Sequence, residues 1–328
     1  MQPLQIKAKC VMGPADRLDQ IKYAISLVED GKIKEFGPSP VHDKEIVIVG
    51  SGPSVKNKSN LKKIRRLKGE GCMILAIKGA HDFLIENNII PHAALAVDPL
   101  DHIWKCFRKK RKLSQTPRPA YLIASQCHKT TFDYLDDQEV ILWHLLAHSS
   151  GELLEGRLQV GGGSTSGSRG IVLAYMMGFR TFHLFGFDSC LEGGGESKLR
   201  KITGERWGGT VKEGEKEEPI LELVCEGKTF HADPAMAAQA NEIQDVVEML
   251  EGARFKAYGK GLIQTVFQSN AEKGMGGYYA VSDEFGESRV PRIRDEVLAH
   301  SKAMVKAARE GVYRGRDYYR PRGSEVAA

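Results

Sequence analysis

The run EIVIVGSGPSV, residues 45–55, restricts the fold more than any other stretch of the chain. Four apolar β-formers, residues 46–49, stop abruptly at Gly50, Gly52 and Pro53, and a Lys- and Leu-rich segment with helical spacing follows. A strand, a tight glycine turn and a helix start form an anion site, because free backbone N–H groups converge where the helix begins. The pattern predicts a phosphate or nucleotide against Gly50, Ser51, Gly52, Pro53 and Ser54. A glycine-rich βα turn with no ligand is the plainer reading of the same residues. What the turn lacks narrows the ligand. A dinucleotide fingerprint has a third glycine where this chain has Val55, and an acid about 20 residues on to bind a ribose hydroxyl. Here the strand CMILAIK ends at Lys78, followed by Gly79. An ammonium cannot accept a ribose hydrogen bond but can meet a phosphate, so nicotinamide redox chemistry is disfavoured.

Beyond this turn the chain alternates. Strand candidates at 46–49, 73–77, 93–97, 120–124, 140–143 and 181–185 are separated by helix candidates at 60–67, 81–88, 102–112, 129–135 and 166–177. Short, continuously apolar strands between helices predict an α/β fold with a doubly wound, mostly parallel Rossmann-like sheet. At 328 residues the chain is long enough to bury a full core of this kind. Residues 1–44 read as an N-terminal extension with an amphipathic helix near 15–29, residues 45–281 as the nucleotide-binding and catalytic domain, and 282–328 as a basic helix and tail. Residues 191–231, rich in Gly, Glu and Lys, break the rhythm and read as an insert or lid with a β-hairpin. The helix that follows, 234–250, has a clear start, with Asp233 as N-cap and Pro234 in the first position.

Six dispersed cysteines with no CxxC spacing suggest free thiols in a reducing compartment. No secretory segment opens the chain and no apolar run approaches 18 residues, so a cytoplasmic protein is expected. Net charge is only +5, yet KCFRKKRK at 105–112 concentrates positive charge, and Arg314, Arg316, Arg320 and Arg322 gather around Tyr313, Tyr318 and Tyr319. Both runs suit an anionic surface or nucleic acid, but neither belongs to a nucleic-acid module, and a solvated helix face and tail are the favoured reading.

A second glycine turn, VGGGSTSGS at 160–168, precedes the helix candidate at 166–177. Gly162, Gly163, Ser164 and Ser166 there offer backbone donors and hydroxyls to a ligand, or simply let a helix pack closely. Without a following Gly-Lys-Ser/Thr it is not a P-loop. Asp188, in GFDSC, and Asp98, in LAVDP, stand just past strand ends, the edge where open α/β sheets hold ligands. Carboxylates there can hold Mg²⁺ between phosphate oxygens, bind a sugar hydroxyl, or cap a turn. His144 and His148 are four apart but lead into a loop with no third ligand in view, so zinc is not expected. His231, just before the 234–250 helix, is the histidine best placed as a general base.

VIVGSGPSV, AIKGAHDFLIENNIIPHAALAVDP and VGGGSTSGSRGIVLAYMMGFRTFHLFGFDSC, in this order, resemble the MptE-like family of 6-hydroxymethyl-7,8-dihydropterin pyrophosphokinases. The likeness covers 44–190 and extends weakly through 233–250 and GARFKAYG. It implies a Rossmann-like fold and Mg²⁺-dependent transfer of diphosphate from ATP to a pterin hydroxymethyl group. Gly50, Gly52, Pro53 and Ser54 would then face the nucleotide, Gly162, Gly163, Ser164 and Ser166 would line the same cleft, and Asp98 and Asp188 would sit at the metal–phosphate end. Lys78 would add positive charge there. The chain is also similar to bacterial sialyltransferases and Maf proteins, which implies a CMP-linked sugar donor, a glycan acceptor and His231 as base. A nucleotide- or nucleic-acid-binding protein without catalysis is the third reading.

Overall fold

The computed structural model describes residues 13–146, 152–191, 199–200, 218–279 and 281. The first half of the chain runs α1 (Pro14–Glu29), β1 (Lys34–Glu35), β2 (Glu45–Val49), α2 (Lys58–Gly69), β3 (Met73–Ile77), α3 (Ala80–Glu86), β4 (Ala93–Ala96), β5 (Ala120–Ala124), α4 (Lys129–Tyr134) and β6 (Val140–Leu145). It continues through β7 (Gln159–Val160), α5 (Ser166–Met176), β8 (Thr181–Phe185), β9 (Leu199–Arg200), β10 (Glu218–Pro219), β11 (Leu221–Cys225), β12 (Lys228–Ala232), α6 (Pro234–Met249), β13 (Arg254–Tyr258) and α7 (Leu262–Glu272). The main sheet has the order β1-β6-β5-β4-β3-β2-β8-β13, with β7 beside the end of β6. Every pairing in it is parallel. It is the doubly wound Rossmann-like sheet that the apolar runs predict.

The central strands EIVIV, MILAI, AALA and TFHLF are almost wholly buried, as strands covered on both faces must be. From β2 the chain steps outward through β3, β4, β5 and β6, then returns to the other side of β2 with β8 and β13. The β2/β8 crevice is therefore the topological switch point, where open sheets of this class bind ligands at the carboxyl ends of their strands.

Two differences from the sequence expectation have physical causes. The extension before residue 45 is stitched to the sheet: β1 pairs with β6, and Tyr23 of α1 donates to Asp133 (2.8 Å) and meets Phe132 edge-on. Two charged residues, KE, carry no apolar pattern to announce a strand. The helix predicted at 102–112 is only a 3₁₀ turn, Ile103–Phe107. Ile103, Cys106 and Phe107 are buried, but the cations after them have no apolar face to hide and repel at helical spacing. Lys110 turns back instead, 2.7 Å from Asp137 and over the Tyr134 ring, and Lys109 pairs with Glu86.

The hairpin expected in the insert is β11–β12, closed by Glu226 and Gly227, both at positive φ, as a two-residue hairpin turn requires. β9 and β10 form a separate antiparallel pair. The rest of the insert, the basic tail with its arginines and tyrosines, and Cys10 lie outside the described residues. The other five cysteines are free thiols. Among the described residues no helix is long and apolar enough to cross a membrane.

Candidate functional site

At the switch point the β2 turn and the β8 end lock together. Gly50 N–H donates to the Phe185 carbonyl and Gly52 N–H to the Gly186 carbonyl, both at 2.8 Å. A side chain on either glycine has no room: a Cβ at Gly50 would lie 2.7 Å from the Gly186 oxygen, and one at Gly52 2.3 Å from Asp188 Oδ2. Asp188 is 2% exposed, and its Oδ2 accepts the Ser54 N–H at 2.9 Å. The anion that meets the start of the 3₁₀ turn Pro53–Lys56 is thus the protein's own carboxylate. Gly259 and Gly261, in the loop between β13 and α7, close over Asp188; a Cβ on Gly261 would come within 2.7 Å of its Cα. Gly50 and Gly52 therefore face the β8 loop, and the exposed Ser51 stands at the mouth. The Ser54 hydroxyl, buried beside them, has no hydrogen-bond partner among the described residues.

One strand over, Lys78 follows β3 in a left-handed conformation (φ 49°), its N–H bonded to the Leu95 carbonyl. That geometry aims its ammonium at Asp98, past the end of β4, with Nζ 2.7 Å from Oδ2. The two side chains are 22% and 36% exposed, so the pair is reachable from solvent. Ser166 Oγ, in the first turn of α5, lies 3.5 Å from the same oxygen, and Gly79 opens α3 alongside. The Cys106 and Cys127 thiols are buried within electrostatic reach of this pair; burial pushes Cys106 up to about 11 and raises Cys127 well above the ordinary thiol value. Neither is a ready thiolate nucleophile.

The second glycine turn is held by packing and by α6. Gly162 and Gly163 have positive φ, and a Cβ on Gly162 would strike Val172 of α5. Thr165 caps α5 in a capping box with Ser168, while Gly167 and Gly170 let the helix approach Phe187 and Ile77. Ser164 donates through both N–H and Oγ to Glu242 Oε2, each at 2.9 Å. Gln239, one helical turn earlier, bonds Ser189 (3.0 Å) and Thr165 (3.3 Å), so α6 bridges the β8 loop to the second turn. His231 sits half-buried in β12 just before α6, and its carbonyl accepts the Leu191 N–H. Asp233 caps α6, Oδ1 accepting the Met236 N–H at 2.7 Å.

The arrangement thus brings Lys78, Asp98 and Ser166 into one cluster, and joins the first turn to Asp188 in another. Gln239, Glu242 and Gly261 carry no mark in the sequence pattern, and Gly259 appears there only as the end of GARFKAYG. For Gln239 and Glu242 the available signal is their i, i+3 spacing, which puts them on one face of an Ala-rich helix start. Asp98 and Asp188 do not fall within a group of three or more metal-ligating side chains among the described residues.

The family description 6-hydroxymethylpterin diphosphokinase MptE-like matches residues 19–194, more than half of the chain. The chain belongs to the MptE-like family. No curated protein matches the chain. Among solved structures, a Maf glycosyltransferase from Magnetospirillum magneticum AMB-1 superposes with a TM-score of 0.59 at 14% identity, over 90% of this chain and 43% of the Maf chain. This MptE-like chain therefore spans less than half of that protein, and the likeness is one of fold. A monofunctional alpha-2,3-sialyltransferase, Cst-I from Campylobacter jejuni, aligns over 84% of this chain and 99% of its own at 12% identity, but its TM-score of 0.31 is too low to relate the two folds.

Proposed function

We propose that this MptE-like protein is a nucleotide-dependent transferase that moves diphosphate from ATP to a hydroxymethyl, pterin-like acceptor. The observation that carries the reading is the Lys78–Asp98 pair with Ser166, half-open at the strand ends beside the switch point. Diphosphate transfer asks the protein mainly to position phosphates and neutralise their charge. Lys78 is placed to leave Asp98 for a phosphate oxygen, and the exposed Ser51 and Ser164 stand at the two glycine turns on the same edge. The donor set fits Mg²⁺ in the way that ion is commonly bound, through one or two carboxylates plus substrate phosphates. Asp98 is the carboxylate for it, since Asp188 is enclosed and bonded to Ser54. When bound, the ion would neutralise phosphate charge. Asp188 then acts as a positioning group that fixes the first turn.

Transfer of diphosphate breaks the α–β phosphoanhydride bond and leaves AMP. Incubation with ATP, Mg²⁺ and a hydroxymethylpterin is expected to yield AMP in step with pyrophosphorylated pterin. No acceptor-dependent AMP over a range of hydroxymethyl acceptors would contradict the reading. One observation favours the second reading, a CMP-sugar glycosyltransferase: His231, half-buried in the hairpin, leads into the helix that bridges the site. CMP binding that persists in EDTA, with sugar transfer lost in His231→Ala, would establish it. The basic run offers less to nucleic acid than its composition implies, because Lys109 and Lys110 are paired with Glu86 and Asp137.

A further inference from the structure

At the opposite end of the same central strands, three unlike side chains converge. Glu45 opens β2, Cys72 immediately precedes β3, and His183 lies in β8. The parallel registers pair Ile46 with Met73 and Val47 with His183, so period-two alternation puts Glu45, Cys72 and His183 on one face of the sheet. Their ligand atoms, a carboxylate oxygen, a thiol sulfur and an imidazole nitrogen, all lie within 4.8 Å of one another. Among the described residues this is the one grouping of its kind. We infer that Glu45, Cys72 and His183 form a site for a borderline-soft divalent cation, zinc above all, at the amino-terminal edge of the sheet.

The donor chemistry selects the metal. A thiolate, an imidazole and a carboxylate are the N/S/O set that zinc takes, and hard Mg²⁺ or Ca²⁺ does not take thiolate. Tetrahedral zinc separates its ligand atoms by about 3.3–3.7 Å, within a side-chain adjustment of the spacing seen. His183 Nε2 now shares a proton with Glu45 Oε2 at 2.7 Å, and that contact opens by about half an ångström on binding. The outer partner is already in place: His183 Nδ1 lies 2.8 Å from the Tyr258 hydroxyl, the support that a metal-bound imidazole characteristically has. Cys72 and His183 are buried, whereas the Glu45 side chain is 44% exposed, giving an entry path and room for a water as fourth ligand. Binding exchanges the Cys72 thiol proton for the dication, so that with one thiolate and one carboxylate the occupied site is neutral.

The site is separate from the cleft at the carboxyl ends and does not rest on the transferase reading. Its test is a cobalt(II) titration of the reduced, EDTA-treated and desalted full chain. The expected result is a thiolate-to-cobalt charge-transfer band that saturates at one equivalent and disappears when Zn²⁺ is added. Cys72→Ser should abolish the band, and His183→Gln, which keeps the thiol, should weaken cobalt binding at least tenfold. Folded wild-type protein with no such band would overturn the inference, leaving a Glu–His–Tyr hydrogen-bond chain only. An unchanged band in folded Cys72→Ser, or unchanged affinity in folded His183→Gln, would overturn it equally.

Discussion

Asp188 shows how a residue type read from sequence acquires its role from what surrounds it. Its position past a strand end suits metal binding, a hydrogen bond to a sugar hydroxyl, or a turn cap. In the fold it is 2% exposed, ringed by Gly52, Gly259 and Gly261, and bonded to the Ser54 N–H. Asp188→Ala deletes a charged acceptor inside that ring and is expected to lower stability by about 1.5–3 kcal/mol in urea titration. Wild-type stability would show that the carboxylate is not holding the turn. Gly52→Ala drives a Cβ to 2.3 Å from Asp188 Oδ2 and 2.7 Å from the Gly186 carbonyl. Its expected loss is about 1–3 kcal/mol, so weakened nucleotide binding in such a variant must be read beside its denaturation midpoint. Lys78→Met probes the cleft more cleanly. Its ion pair is partly exposed, so stability should change little, while nucleotide affinity should fall if the ammonium meets phosphate.

At the scale of elements, legibility followed local signal. α6 was visible because Asp233, Pro234 and an apolar face agree on where it starts and what it buries. Asp233→Ala should therefore lose about 1 kcal/mol by chemical denaturation. No loss would mean that Pro234 and packing alone fix the helix start. β2, β3, β5 and β8 were visible as apolar runs bounded by Gly, Asp or Pro. β1 was not, because two polar residues gain strand geometry only from β6 beside them. The 102–112 segment misled because helical spacing was present in its first turn and like charge undid the rest.

For the whole molecule, strand order decides what residue spacing cannot. Lys78 and Asp98 are 20 positions apart and Ser166 lies 68 beyond Asp98, yet adjacent parallel strands and the α5 start bring them together. The glycine turns are legible as turns, but the acceptors their N–H groups meet are long-range facts with no local trace: for the first turn they depend on β8 returning beside β2, and for Ser164 in the second on α6. The same holds for Glu45, Cys72 and His183, whose spacing matches no sequential metal motif.

Global stability should also report on buried histidine. Burial holds His144 below the ordinary imidazole value, even though Glu35 beside it at 2.8 Å pulls the other way. A pKa lower in the folded than in the unfolded chain means full stability above about pH 6.5 and a progressive loss as pH falls below it. Urea midpoints should decline through that window, and His144→Gln should flatten the decline. An unchanged slope would place the acid sensitivity elsewhere.

On the reading proposed above, the carboxyl edge of the sheet around Lys78 and Asp98 binds a nucleotide through its phosphates. Thermal denaturation of the full chain with ATP and with CMP, each with and without Mg²⁺, tests it most directly. A ligand at 100 times its Kd stabilises by about 2.7 kcal/mol. ATP with Mg²⁺ is expected to raise Tm in the wild type and much less in Lys78→Met. No shift with either nucleotide, or an equal shift in the folded variant, would contradict it.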